Sequence, residues 1–154
     1  MKVCIIFILV VLTALHASAQ LNTDVNLPDT WTKDFTITLS HSGSMDGSKS
    51  EIIFTYDSCK YKGNVGMKAP TRRAFLLSEA DRVEIFKKLH EWKVDKIKSE
   101  SSVVPVNDGW SQSICFGFHC IEGGTSAVLS TQDKDQFYSA YNYLEEFATR
   151  KRKR

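Results

Sequence analysis

From Asp34 the chain alternates, with Phe35, Ile37 and Leu39 on one side and Thr36, Thr38 and Ser40 on the other. A period of two is that of a strand with one buried and one wet face. His41 to Ser50 (HSGSMDGSKS) is rich in glycine and serine and reads as a connection. Glu51 to Tyr56, apolar at Ile52, Ile53, Phe54 and Tyr56, then pairs back as a hairpin. Lys62-Gly63-Asn64 marks another turn, and Arg72 to Leu77 makes a third antiparallel strand. There the period changes. Ser78-Glu79-Ala80-Asp81 resembles a capping box with Asp81 in place of the usual glutamate, and it starts a helix. Val83, Phe86, Leu89 and Trp92 recur at helical spacing, Ile85 widens the stripe, and Glu84 with Lys88 forms an i,i+4 pair outside. This helix ends near Trp92.

Ser99 to Asn107, which contains Pro105, reads as a loop, and Asn107-Asp108-Gly109 as a turn. Alternation resumes over Ser111 to Ile121, with Ile114, Phe116, Phe118 and Cys120 sharing a face. Glu122-Gly123-Gly124-Thr125 turns the chain, and Ser126 to Leu129 returns as a partner strand. Ser130, with Asp133 three residues on, caps a second helix whose buried stripe is Phe137, Tyr141, Leu144 and Ala148. The order β-β-β-α-β-β-α defines an α+β fold: an antiparallel sheet of about five strands with two helices packed on one face. Its expected core is Phe35, Ile37, Leu39, Phe54, Val83, Phe86, Leu89, Phe116, Phe118, Tyr141 and Leu144.

The N-terminal pattern differs in kind. Met1-Lys2-Val3 is a short positive start, Cys4 to Leu15 is almost unbroken apolar sequence, and Ala17-Ser18-Ala19 is a small-x-small cleavage site. Together they read as a secretory signal peptide over residues 1–19, too short to span a membrane at roughly 20 apolar residues. The mature chain is expected to begin at Gln20 and to be exported, periplasmic or secreted, with no transmembrane segment. Residues 20–33 form an extended lead-in, 34–149 a single domain and 150–154 a basic tail.

Composition is that of an ordinary globular protein, at 42% hydrophobic and 25% charged residues, and does not narrow the function. The charge, +2 overall, is unevenly placed: Arg150-Lys151-Arg152-Lys153-Arg154 closes the chain, and without it the mature body is slightly acidic. Five adjacent like charges with nothing to bury predict a frayed, solvated helix end. It makes at most weak polyanion contacts and reads no specific nucleic acid.

Cys59, Cys115 and Cys120 survive cleavage, and an odd count leaves one thiol over. If Ser111 to Ile121 is one regular strand, Cys115 and Cys120 point to opposite faces, which favours a Cys59–Cys115 disulfide and a buried Cys120. In the same strand Cys115 and His119 share a parity, the basis of an alternative reading as a thiol-dependent hydrolase or redox enzyme. Four residues at about 3.3 Å each put them roughly 13 Å apart, too far for a catalytic pair. His41, His90 and His119 show no metal-ligand spacing and no Cys-x-x-Cys is present, so neither metal nor cofactor is expected. Gly43-Ser44-Met45-Asp46-Gly47 places methionine where a nucleophile elbow needs serine. No catalytic residue is assigned.

Asp34-Phe35-Thr36-Ile37-Thr38-Leu39, Ser42-Gly43-Ser44-Met45 and the helix from Asp133-Lys134 through Phe137, Tyr141, Leu144-Glu145 and Phe147-Ala148 resemble small exported Bacteroidota-type proteins of unknown function. The early glycine-bearing loop and Asp108-Gly109 before an alternating strand are similar to emfourin-type protease inhibitors, although Gly43-Ser44 stands where those have a double glycine. With its residues spent on a core and polar loops, the chain is expected to be a non-enzymatic exported binding protein, a protease inhibitor or envelope accessory factor, with a protein partner. The expected contact residues are Ser42, Gly43, Ser44, Met45, Asp108 and Trp110.

Overall fold

The computed structural model describes residues 26–43, 47–66, 68–101, 109–125 and 127–152, the last two of these without their side chains. Residues 1–19, expected to be a signal peptide, the start of the expected lead-in, Ser44, Met45, Asp108, Lys153 and Arg154 lie outside the described residues.

Alternation produces β1 (Ile37–Ser42), β2 (Lys49–Phe54), β3 (Ser58–Asn64) and β4 (Thr71–Leu76), each antiparallel to the next. Helix α1 (Glu79–Glu91) follows, and after the short strand β5 (Glu100–Ser101) come β6 (Ser111–Phe116), β7 (His119–Gly124), β8 (Ala127–Val128) and α2 (Thr131–Arg152). The main sheet has six strands in the order β4-β3-β2-β1-β6-β7, while β5 and β8 pair separately. The fold is therefore α+β with an antiparallel sheet and two helices, with one strand more in the main sheet than the pattern predicts.

Register explains the single core. Ile37 stands opposite Phe54 and Phe116, Leu39 opposite Ile52 and Ile114, and Ile114 opposite Ile121, so the buried residues of five strands share one face with Cys59. Helix α2 lies across that face. Phe137 packs under Gly123 of β7, Tyr141 Oη donates to the Ser40 carbonyl of β1 at 3.4 Å, and Phe147 meets Phe54 of β2 at 6.3 Å between ring centroids. Ser78 caps α1 as expected: its hydroxyl accepts from the Asp81 amide, and its own amide donates to the Asp81 carboxylate at 2.9 Å. At α2 the Asp133 amide donates to Ser130 Oγ at 3.1 Å, and Phe137, Tyr141, Leu144 and Ala148 are buried.

Several expectations change. Lys62-Gly63-Asn64 is not a turn but the end of β3, because Gly63 pairs with Ser50 and Thr71 inside the sheet. Pairing of β1 with β2 continues to Ser42 opposite Lys49, shortening the predicted loop to 43–48. Ser111 to Ile121 is a hairpin rather than one strand, reversed at Gly117-Phe118. Phe118 consequently sits at the tip, 108% exposed, and leaves the core; Val83, 62% exposed, leaves it too. The return strand shrinks to Ala127–Val128 and pairs with β5, not with β7. Glu84 accepts a hydrogen bond from Tyr143 on α2 at 2.9 Å, and Lys88 pairs with Glu91 instead. The core also reaches back into the lead-in, where Leu27 and Trp31 are buried and Trp31 stacks on Phe86 at 5.2 Å. Finally, α2 continues through Arg152, into the segment read as a frayed tail.

Candidate functional site

At one end of the sheet, the loops after β1 and before β6 are pressed together. Gly43 leaves β1 at φ +85°, a left-handed conformation that glycine adopts without penalty. A Cβ there would lie 2.8 Å from the Gly109 carbonyl oxygen, so the approach of the two loops also requires glycine. Ser42 and Ser111 join across the strand ends through hydroxyls 3.1 Å apart. Trp110 is held from its other side. Its amide donates to Thr125 Oγ1 at 2.9 Å, and its carbonyl accepts from the Thr125 amide at 2.9 Å. Gly124, at φ +92°, lies close enough that a Cβ would stand 3.0 Å from Cε3 of the indole.

The result is a half-buried indole fixed at its backbone, its ring 6.2 Å from that of His41. A separate groove of about 360 Å³, not lined by Trp110, runs from His41 and Ser42 across Lys49 and Glu51 to Asn64. Of the expected contact residues, Ser42, Gly43 and Trp110 are brought to one place. The sequence did not indicate Gly124 and Thr125 as supports for the indole; the signal was there in two glycines and a threonine ending a strand that pairs with Trp110's own.

The cysteines are arranged differently from the expectation. Cys115 is bonded to Cys120, not to Cys59, with Cα atoms 4.1 Å apart. Gly117 at φ +58° opens a two-residue turn that folds the segment back and sets Cys115 directly opposite Cys120 on the sheet's outer face. Parity counted along one straight strand does not survive that reversal. Cys120 is accordingly exposed, whereas Cys59 is a buried free thiol pushed up to about 12 by loss of solvent. His119 stands opposite Phe116 on the inner face, ring centroids 5.1 Å apart, with Nε2 buried and without a hydrogen-bond partner among the described residues. Cys115 and His119 thus occupy opposite faces of the hairpin, and the Cys115 sulfur is bonded. The thiol-imidazole geometry of the alternative reading is not formed in this state.

Burial also raises the Tyr141 and Tyr143 hydroxyls, with Glu145 adding to the first and Glu84 to the second. These tyrosines act as hydrogen-bond donors that fasten α2 to β1 and α1. Among the described residues no group of three His, Cys, Asp or Glu side chains is placed to hold a metal ion, and no helix is long and apolar enough to cross a membrane. No protein-family model matches the chain, and no curated protein matches it.

Proposed function

We propose that this chain is an exported binding protein without catalytic activity, engaging a protease or another envelope protein through the loop end built around Ser42, Gly43 and Trp110. The observation that carries the reading is the close approach of Gly43 to Gly109, which fixes two loops of distant sequence into one edge with a tryptophan held in it. An aromatic side chain already ordered loses little freedom on association, and tryptophan is over-represented among residues that dominate interfaces. The cross-strand disulfide fits an oxidising compartment. Ser44, Met45 and Asp108 belong to the same two loops and are included in the proposed surface.

The test is capture of a partner from envelope and culture-medium extracts by the mature protein, with Trp110→Ala in parallel. A partner retained by the native chain and lost at least about tenfold in the variant supports the reading. Equal capture by both proteins places the contact elsewhere. Turnover of a peptide or thiol substrate that disappears in Cys115→Ser replaces it with the thiol-enzyme alternative.

A further inference from the structure

The opposite side of the molecule offers a different surface. Strand β4 ends the sheet, and among the described residues no strand pairs with its outer side. The Leu77 amide donates to the Asp57 carbonyl at 3.0 Å, which identifies that pair as hydrogen-bonded. Antiparallel ladders alternate, so Phe75, Arg73 and Thr71 turn their backbone groups toward β3. Arg72, Ala74 and Leu76 therefore turn their N–H and C=O groups outward, along an exposed edge.

This edge is cationic on both of its faces. On the outer face, Arg72 stands directly opposite Lys62, and Lys60 lies two residues away opposite Ala74. Like charges directly opposite each other in a sheet are destabilising. They border a groove of about 470 Å³ floored by Ile53 and Ala74, and Glu51 is the one carboxylate among its lining residues. On the helix-covered face, Arg73 is exposed. Helix α2, having crossed the sheet from β7, also contacts β4.

We infer that β4 accepts an extended acidic peptide segment of a partner protein as an added strand, its backbone pairing with Arg72, Ala74 and Leu76. Side chains of a strand alternate between faces, so carboxylates at consecutive positions meet Lys62 and Arg72 on one side and Arg73 on the other. A sulfated or uronate polysaccharide, lacking such a backbone, would use the charges and leave the edge groups unpaired. A second copy of this chain would bring its own arginines to the same edge and be repelled. The surface is distinct from the Trp110 loops, so either proposal can fail while the other stands.

The probe is a capped octapeptide of glutamate pairs separated by valine and threonine, titrated into the mature protein. Binding is expected to slow hydrogen exchange at the Arg72, Ala74 and Leu76 amides at least about tenfold. Arg72→Glu with Arg73→Glu, and separately Ala74→Pro, should each weaken binding by at least about tenfold. Proline at 74 removes an outward N–H, the edge position where a sheet tolerates it. The same peptide N-methylated at alternate amides keeps every charge and should not bind, a control that leaves the protein unchanged if Ala74→Pro misfolds. Equal binding of the N-methylated peptide, or heparin binding as tight as the peptide's without amide protection, overturns strand addition. So does protection of these amides that grows with protein concentration in the absence of peptide, which would identify a second copy as the occupant.

Discussion

The two edges of the sheet are closed by different means. At the β7 edge the chain supplies its own cover: β8 lies against β7, Gly123 admits the Phe137 ring beneath it, and the Cys115–Cys120 bond ties the edge strand to its neighbour. At the β4 edge neither a disulfide nor a further strand is present among the described residues, and the strand is exposed or half-buried along its length. Charge guards it in place of a covalent tie. Stability should therefore be concentrated on the β6–β7 side, while β4 tolerates change.

The largest test of that contrast is Phe116→Ala, which removes a ring 2% exposed and should cost about 3–5 kcal/mol in denaturant unfolding. Phe118→Ala, two residues on at the exposed tip, should stay within about 0.5 kcal/mol. Next is Gly123→Ala, whose added methyl would lie 2.2 Å from Phe137 Cε1 and should cost about 1–3 kcal/mol through overpacking. Replacing Cys115 and Cys120 together by serine opens a short loop and should cost about 2 kcal/mol on the chain-entropy account. If all three changes leave the melting temperature where it was, the asymmetry between the edges is wrong.

A pH titration sharpens the picture from the middle of the sheet. The Cys59 thiol is raised to about 12 by burial, so between its ordinary value of 9.0 and about 12 the folded state holds a proton that the unfolded chain has released. Stability from this group is complete below about pH 9 and falls as pH rises toward 12. Denaturation of native protein and Cys59→Ala across this range should show the native advantage shrinking with pH; a constant difference removes Cys59 as the cause. The smallest effect belongs to the open edge. Arg72→Ala should change stability by no more than about 0.5 kcal/mol, and a loss of several times that would mean β4 is held by contacts its exposure does not suggest.

Features set by neighbouring residues are legible in the sequence. Ser78 and Asp81 specify the start of α1, and Phe137, Tyr141, Leu144 and Ala148 give the buried face of α2, because capping and helical spacing act within a few residues. The pattern is ambiguous where the chain reverses direction. Gly117-Phe118 carries one glycine and an aromatic, a weak turn signal, and without that turn the alternation puts Phe118 in the core and the two bonded cysteines on opposite faces. Gly63 suggested a turn where it fills an interior strand position beside Tyr61. Of the site, the two loops were legible from glycine, Asp108 and Trp110. Their contact was not, since it depends on β1 and β6 being neighbours, a pairing between segments separated by most of the domain. Arg72 and Lys62 were equally visible as residues, and only the cross-strand register makes them neighbours.

Helix α2 is the last described element of the chain, yet it supplies Phe137, Ala140, Tyr141, Leu144, Phe147 and Ala148 to the core. Every strand of the sheet is synthesised before the helix that covers its apolar face. A ribosome-bound chain from which α2 has not yet emerged has an uncovered sheet and cannot complete the domain. Folding of the domain is thereby deferred until α2 is available, and truncation within α2 should leave a product that aggregates or is degraded rather than a smaller folded protein.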